Sequence, residues 1–165
     1  MDPADELVDV VDEDDRVVAT VTRREVRQRS LLHRCTYVLL ENSAGAVLVH
    51  RRTPTKDVHP GAYDVFAGGV CGAGESYDEC ARREVAEEVG VEGAELAFRF
   101  KHRYRGPTGQ AWGAVYEGRW DGPVRPQETE IEWLAWVSPD ELDRMLRELT
   151  FCPDSREIFA RLRGR

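Results

Sequence analysis

Between Gly69 and Val91 a glycine-rich bend (Gly68, Gly69, Gly72, Gly74) runs into a segment, Ser76–Val89, that contains neither glycine nor proline and is crowded with glutamate and arginine. Ala, Glu and Arg favour helix, and Gly90 stands where a C-terminal cap belongs, so the spacing predicts a helix over 76–89. At about 100° per residue, Tyr77, Ala81, Val85 and Val89 form one apolar stripe that a fold must bury. Glu88 then projects within about 20° of Ala81, and Glu84 lies near Tyr77. These two carboxylates flank the buried face instead of opposing it. They are also i,i+4 neighbours, a like-charge pair that costs an isolated helix about 0.2–0.5 kcal/mol, and Glu87 adds to the repulsion. A solvated acidic face is the ordinary reading of such a run. The preceding bend, the edge placement and Arg83 favour another: oxygen donors gathered for a hard cation such as Mg²⁺. Glycines let the backbone approach a metal or phosphate closely, and Arg83 can fix a carboxylate by pairing with it.

The rest of the chain sets limits around this segment. Its 165 residues suit one compact domain, with 41% hydrophobic residues to build a core. The net charge of −8 equals the excess of residues 1–15, which hold eight acids and no base; residues 16–165 carry 23 of each. Residues 75–95 form the second acidic concentration, eight acids against two bases. A basic nucleic-acid footprint is absent, so a nucleic-acid polymer is not an expected partner. The longest stretch without a charged residue, Gly106–Tyr116, is far short of the ~20 apolar residues that span a bilayer. The acidic N-terminus reads as neither secretory signal nor transit peptide. Cys35, Cys71, Cys80 and Cys152 form no CxxC pair and no zinc spacing, so they read as small apolar filling in a reduced, cytoplasmic compartment.

Along the chain, Leu7–Val11 and Val17–Thr22 read as a hairpin whose tip, Asp12–Asp15, is a solvated acidic turn. Arg23–Ser30 is a short basic helix or turn. Strands are expected at Thr36–Glu41, Ala46–Arg51, Tyr63–Val70, Leu96–Tyr104, Ala111–Arg119 and Ile131–Val137, with 53–62 and 120–127 as loops. Ser138, Pro139 and Glu141 resemble a capping box opening a helix, and a last helix covers Ser155–Leu162. Strands interrupted by a few helices indicate a mixed sheet with helices packed against it.

From Gly69 to Val91 the chain resembles the Nudix box, Gly-x5-Glu-x7-Arg-Glu-U-x-Glu-Glu-x-Gly-U with U bulky and aliphatic. Gly69, Glu75, Arg83, Glu84, Val85, Glu87, Glu88, Gly90 and Val91 fill every specified position. The resemblance to this MutT-like superfamily implies an α/β/α sandwich with a central mixed β-sheet, here with an N-terminal β-hairpin, forming one domain over 1–165. It implies a pyrophosphatase-type hydrolase that cleaves a diphosphate linkage in a nucleoside diphosphate joined to another group, with Mg²⁺ or Mn²⁺ as cofactor. Glu84, Glu87, Glu88 and the Gly68 carbonyl are the implied metal ligands; Glu84, Arg83 and Glu87 are the implied catalytic set, with Glu84 open as base or ligand. Glu75 and Arg83 would orient the helix, and Glu130 is a candidate further base or ligand, ahead of Glu128 and Glu132. Arg51, Arg52 and Lys56 are candidate substrate-binding residues, although strand alternation lets only one of the adjacent arginines face a site. Lys101, His102, Arg103 and Arg105 form a second basic cluster, and Trp112, Trp133 and Trp136 read as core before base-stacking. The expected partner is a small diphosphate-containing molecule; a homodimer is left open.

Val49–Lys56 and Pro60-Gly61 are also similar to the isopentenyl diphosphate isomerase branch of the superfamily, and His33 matches one of its metal-binding histidines. The isomerase cysteine would fall at Ala67, another histidine at Gly69, and later carboxylates near Gly109 and Ala111. Isomerase activity is therefore the alternative, beside a non-catalytic nucleotide-sensing module, and hydrolysis is the expectation. His33 reads as a structural hydrogen-bonding residue.

Overall fold

The structure, a computed structural model, describes residues 1–164. After a 3-10 turn at Pro3–Asp5, the elements run β1 (Leu7–Val11), β2 (Val17–Thr22), α1 (Arg23–Arg29), β3 (His33–Glu41), β4 (Val47–Arg52), β5 (Tyr63–Asp64) and α2 (Tyr77–Val89). They continue with β6 (Leu96–Gly106), β7 (Gly109–Arg119), β8 (Ile131–Val137), α3 (Pro139–Glu148) and α4 (Pro153–Leu162). The sheet is mixed. β3 lies parallel to β7 from His33–Ala111 to Glu41–Arg119, while β1–β2, β6–β7, β4–β8 and β4–β5 are antiparallel.

β3 is buried on both faces from Cys35 to Leu40 because helices cover both sides. On one face Val38, Leu40 and Leu48 meet Ala81, Val85 and Val89 of α2. On the other, Tyr37, Leu39 and Val49 meet Leu142 and Met145 of α3 and Ile158 and Phe159 of α4. The sandwich and the apolar stripe of α2 thus follow from strand and helix periodicity. None of the helices, among the described residues, is long and apolar enough to cross a membrane.

Three local expectations change. The stretch expected as a strand over Tyr63–Val70 pairs regularly only at Tyr63–Asp64; it then crosses to β3, bridging Val38 at Ala67 and Cys35 at Val70. Gly68 makes that crossing possible, since a Cβ there would lie 2.0 Å from the Thr36 carbonyl oxygen. The full capping box sits on α2: Ser76 accepts from Glu79 N while Glu79 accepts from Ser76 N. At α3, Ser138 caps Glu141 N, but the Glu141 carboxylate pairs with Arg144.

The hairpin tip is solvated only in part, Glu13 and Asp14 being exposed and Asp15 withdrawn from solvent. Asp15, with φ 60°, takes bonds from Arg34 Nε (2.7 Å), Tyr77 Oη (2.9 Å) and Lys101 Nζ (2.6 Å). Glu13 takes Arg103 and Arg105. The second basic cluster is therefore occupied by the first acidic one. His102 is buried and bonded to Glu157, leaving none of these four side chains directed at the α2 glutamates.

Two buried ionisable residues lie opposite each other in the β4–β5 register, His50 and Asp64. Burial, then the charges of Arg52 and Lys56, lower the His50 pKa to about 3; burial, then Asp154, raise that of Asp64 to about 7. As pH falls from about 6.5 to 3, the unfolded chain protonates His50 before the folded one, and stability drops. As pH rises from about 4 to 7, the unfolded chain ionises Asp64 first, and stability drops in the other direction. The two slopes offset each other. Urea unfolding as a function of pH should therefore show stability falling with rising pH over this window in His50→Gln, and falling with decreasing pH in Asp64→Asn. Parallel profiles for both variants would refute this balance.

Candidate active site

The bend and helix α2 are joined by one guanidinium. Arg83 Nε and Nη2 hold Glu75 Oε2 and Oε1 (2.7 and 2.9 Å) as a bidentate pair. Arg83 Nη1 donates to Glu84 Oε1 (2.8 Å) and Glu87 Oε2 (3.2 Å), and Nη2 reaches the Val70 carbonyl (3.3 Å). Glu75 also accepts from Gly72 N, so loop and helix share a carboxylate. The Arg83 guanidinium holds the Glu75 carboxyl below its ordinary range.

Glu84 lies against Gly69. A Cβ on Gly69 would sit 2.7 Å from Glu84 Oε1, so the glycine leaves room for the carboxylate in its present place. One turn on, Glu88 Oε2 accepts from Gly68 N at 3.1 Å. The carbonyls on either side of Gly68 are spent on β3: Ala67 O accepts from Val38 N and Gly69 O from Thr36 N. The Gly68 carbonyl accepts no hydrogen bond among the described residues. Burial, then the charge of Glu84, raise the Glu88 pKa to about 8, and burial raises that of Glu84. Two half-buried carboxylates therefore repel each other at the edge of the core. Glu87 is exposed and turned towards Arg83.

Lys56 approaches from the loop after β4 and pairs with Glu130 at the entry to β8. Arg52 donates from Nε to the Val58 carbonyl (3.1 Å), on the loop that carries Lys56. Arg51 holds Gly61 O (2.9 Å) and Glu132 (3.2 Å) and lies over the Tyr63 ring, away from the partners of Arg52 and Lys56. Glu128 is exposed. Trp112 and Trp136 are half-buried, whereas Trp133 is 39% exposed and packs edge-on against Tyr63 beside a groove next to α3. His33 is fixed through Nδ1 to Leu31 O (2.9 Å).

Spacing alone missed one cluster. Cys71, Glu75 and Cys80 bring three ligand-type atoms within 4.8 Å of one another, the single such set among the described residues. Glu75 is already neutralised by Arg83, and both thiols are buried. The three glutamates of α2 do not form such a set, Glu87 being turned towards Arg83 and Glu88 towards Gly68 N.

The fold and the box together define a hydrolase of pyrophosphate bonds: residues 31–162 match the NUDIX domain model, and the chain belongs to the Nudix family. It is 47% identical to an uncharacterized Nudix hydrolase of Streptomyces coelicolor, over 99% of this chain and 92% of that protein. It is 38% identical to the uncharacterized Nudix hydrolase YfcD of Escherichia coli, over 94% and 85% of the two chains. Among solved structures, DR0079 from Deinococcus radiodurans superposes with a TM-score of 0.81 at 31% identity, covering 94% of this chain and 98% of that one.

Arg83 is irreplaceable by a point charge, because lysine cannot serve Glu75 in two bonds and Glu84 and Glu87 at once. Arg83→Lys should cost about 1–3 kcal/mol, read from the urea midpoint at constant m-value. An unchanged midpoint would remove Arg83 from its structural role.

Proposed function

We propose that this chain is a divalent-metal-dependent hydrolase of a diphosphate linkage in a nucleoside diphosphate joined to another group. The carrying observation is the pair Glu84 and Glu88, held at the core edge by Gly69, Gly68 and Arg83 beside an unspent Gly68 carbonyl. The donor set fits Mg²⁺ or Mn²⁺, since every group offered is a hard oxygen and the raised proton affinity of Glu88 marks carboxylates short of positive charge. Glu84, Glu87, Glu88 and the Gly68 carbonyl would hold the ion, which supplies Lewis-acid neutralisation of diphosphate oxygens.

The chain's own residues do the rest. Arg83 anchors one oxygen of Glu84 and leaves the other free. The free Glu84 oxygen is open to either of two roles, as a further ligand or as the acceptor of a proton from an attacking water. Arg83 acts as a positioning residue. Lys56 and Arg52, on the far side of the carboxylates, would bind phosphate oxygens. Glu130 is engaged by Lys56 and positions that cation. Cytoplasmic residence is supported by four buried, unpaired thiols.

Isomerase chemistry is disfavoured because Ala67 and Gly69 stand where the resemblance would need a cysteine and a histidine. Phosphate release across nucleotide sugars, nucleoside di- and triphosphates, dinucleotides and coenzymes, with Mg²⁺ and with EDTA, tests the proposal. Glu84→Gln should lower turnover by about 10²–10⁴-fold, and Glu84→Gln and Glu88→Gln should each weaken Mn²⁺ binding. Turnover unaffected by EDTA or by both substitutions would sink the hydrolase reading. Gly69→Ala, which drives a methyl into Glu84, should lose activity as Glu84→Gln does while its circular dichroism stays native.

A further inference from the structure

Cys71 in the glycine bend, Glu75 at its end and Cys80 on α2 form a cluster that the hydrolase reading leaves unused. Their ligand atoms all lie within 4.8 Å of one another. A tetrahedral ion with metal–sulfur bonds of about 2.3 Å sets its ligands roughly 3.8 Å apart, so closing the set takes shifts of about 1 Å. The surroundings of the two sulfurs are polar. Cys35 packs into the core beneath α3 and α4, whereas Cys71 and Cys80 belong to none of the apolar clusters among the described residues. Cys80 Sγ lies 3.4 Å from Thr36 Oγ1, donates to Gly69 O (3.7 Å) and accepts from Arg83 Nη2 (3.8 Å).

Charge permits a divalent ion here. Thiols are ordinarily protonated at neutral pH, and the Glu75 charge is matched by Arg83. An ion that displaces both thiol protons, M²⁺ + 2 RSH → M(SR)₂ + 2 H⁺, leaves the sum of charges unchanged, so no net charge is buried. Sulfur donors select a soft ion over Mg²⁺, which the all-oxygen set of Glu84 and Glu88 suits better. Three protein ligands leave the fourth position of a tetrahedral ion to water. The bend beside the thiols is open on its outer side: Ala73 and Gly74 are exposed, and a Cβ at Gly72 or Gly74 would meet nothing within 4 Å. Arg83 links the two sets, holding Glu75 by two bonds while it reaches Glu84 and Glu87.

We propose that Cys71, Cys80 and Glu75 form a second cation site, for a soft divalent ion of the zinc class, and that filling it slows hydrolysis by drawing Glu75 off Arg83. The site itself stands on the cluster geometry; its effect on turnover rests on the hydrolase reading above. A Glu75 oxygen given to the ion reduces the bidentate hold on Arg83, and the guanidinium that aims Glu84 loses its anchor in the bend.

The test combines binding and kinetics on the full chain, kept reduced with a phosphine. Cd²⁺ is titrated in excess Mg²⁺ and followed by the ultraviolet charge-transfer band of cadmium–thiolate, which carboxylate binding does not produce. The band should saturate at one ion per chain with release of about two protons per ion. Cys71→Ala and Cys80→Ala should each lose saturable binding, and Cys35→Ala should retain it. Zn²⁺ added over saturating Mg²⁺ should lower wild-type turnover by about 10- to 100-fold, the usual effect of disturbing a group that orients a metal ligand. Cys71→Ala should keep its Mg²⁺-dependent rate and resist the same Zn²⁺ concentration. If Cys80→Ala fails to fold, Cys71→Ala decides alone. No thiolate band in the wild type, or a band that persists in Cys71→Ala, overturns the site. Equal Zn²⁺ inhibition of wild type and Cys71→Ala overturns its control of hydrolysis and places the inhibiting ion at the glutamates. Absence of Mg²⁺-dependent turnover in the wild type defeats the hydrolase reading instead, and the Cd²⁺ titration still decides the site.

Discussion

The bidentate bond from Arg83 to Glu75 is the joint on which the site depends. Without it, the glycine bend and α2 would share only the Gly68 and Gly69 backbone contacts, and three glutamates on one helix edge would repel without restraint. The same guanidinium that ties Glu75 also reaches Glu84 and Glu87, so the geometry of the loop and the aim of the carboxylates are set by one group. Arg83 offsets the crowding of Glu75, Glu84 and Glu87, while Glu88, which it does not reach, keeps a raised pKa. A rigid scaffold behind it, β3 with its two covered faces, holds the bend through Thr36 and Val38.

The box was legible because its logic is local. Helix period placed Glu84 and Glu88 beside Ala81 and Tyr77, and the glycines fell where backbone meets carboxylate. The strand order was readable for the same reason, from alternation and turn residues. Tyr63–Val70 was not, because its apolar run follows a crossing dictated by Thr36, a residue far back in the chain. The two arginines at 51 and 52 do face opposite ways, but which one turns towards the loop depends on Glu132 and Tyr63, which no short-range rule supplies. Cys71 and Cys80, nine positions apart across a bend, could be paired only by knowing how the bend folds.

The acidic hairpin tip departs from a solvated turn at Asp15, for an instructive reason. Read alone, Asp12–Asp15 belongs in water. In the fold, Glu13 and Asp15 meet Arg34, Lys101, Arg103 and Arg105, charges contributed from β3 and β6. Neither cluster could be assigned without the other, since each looks solvated by itself. Asp15 further joins Tyr77 at the first turn of α2, so the N-terminal hairpin is coupled to that helix at its start.

The contact between Gly69 and Glu84 joins the bend to α2. Two positions fifteen residues apart compete for a single small volume, and only one may carry a side chain into it. The atoms met at position 69 are the far end of a flexible side chain, so a larger residue there would swing the Glu84 carboxylate aside before it disturbed the backbone. The small volume beside Gly69 thus sets where one carboxylate comes to rest, and the choice of residue at 69 aims a side chain that lies on another element.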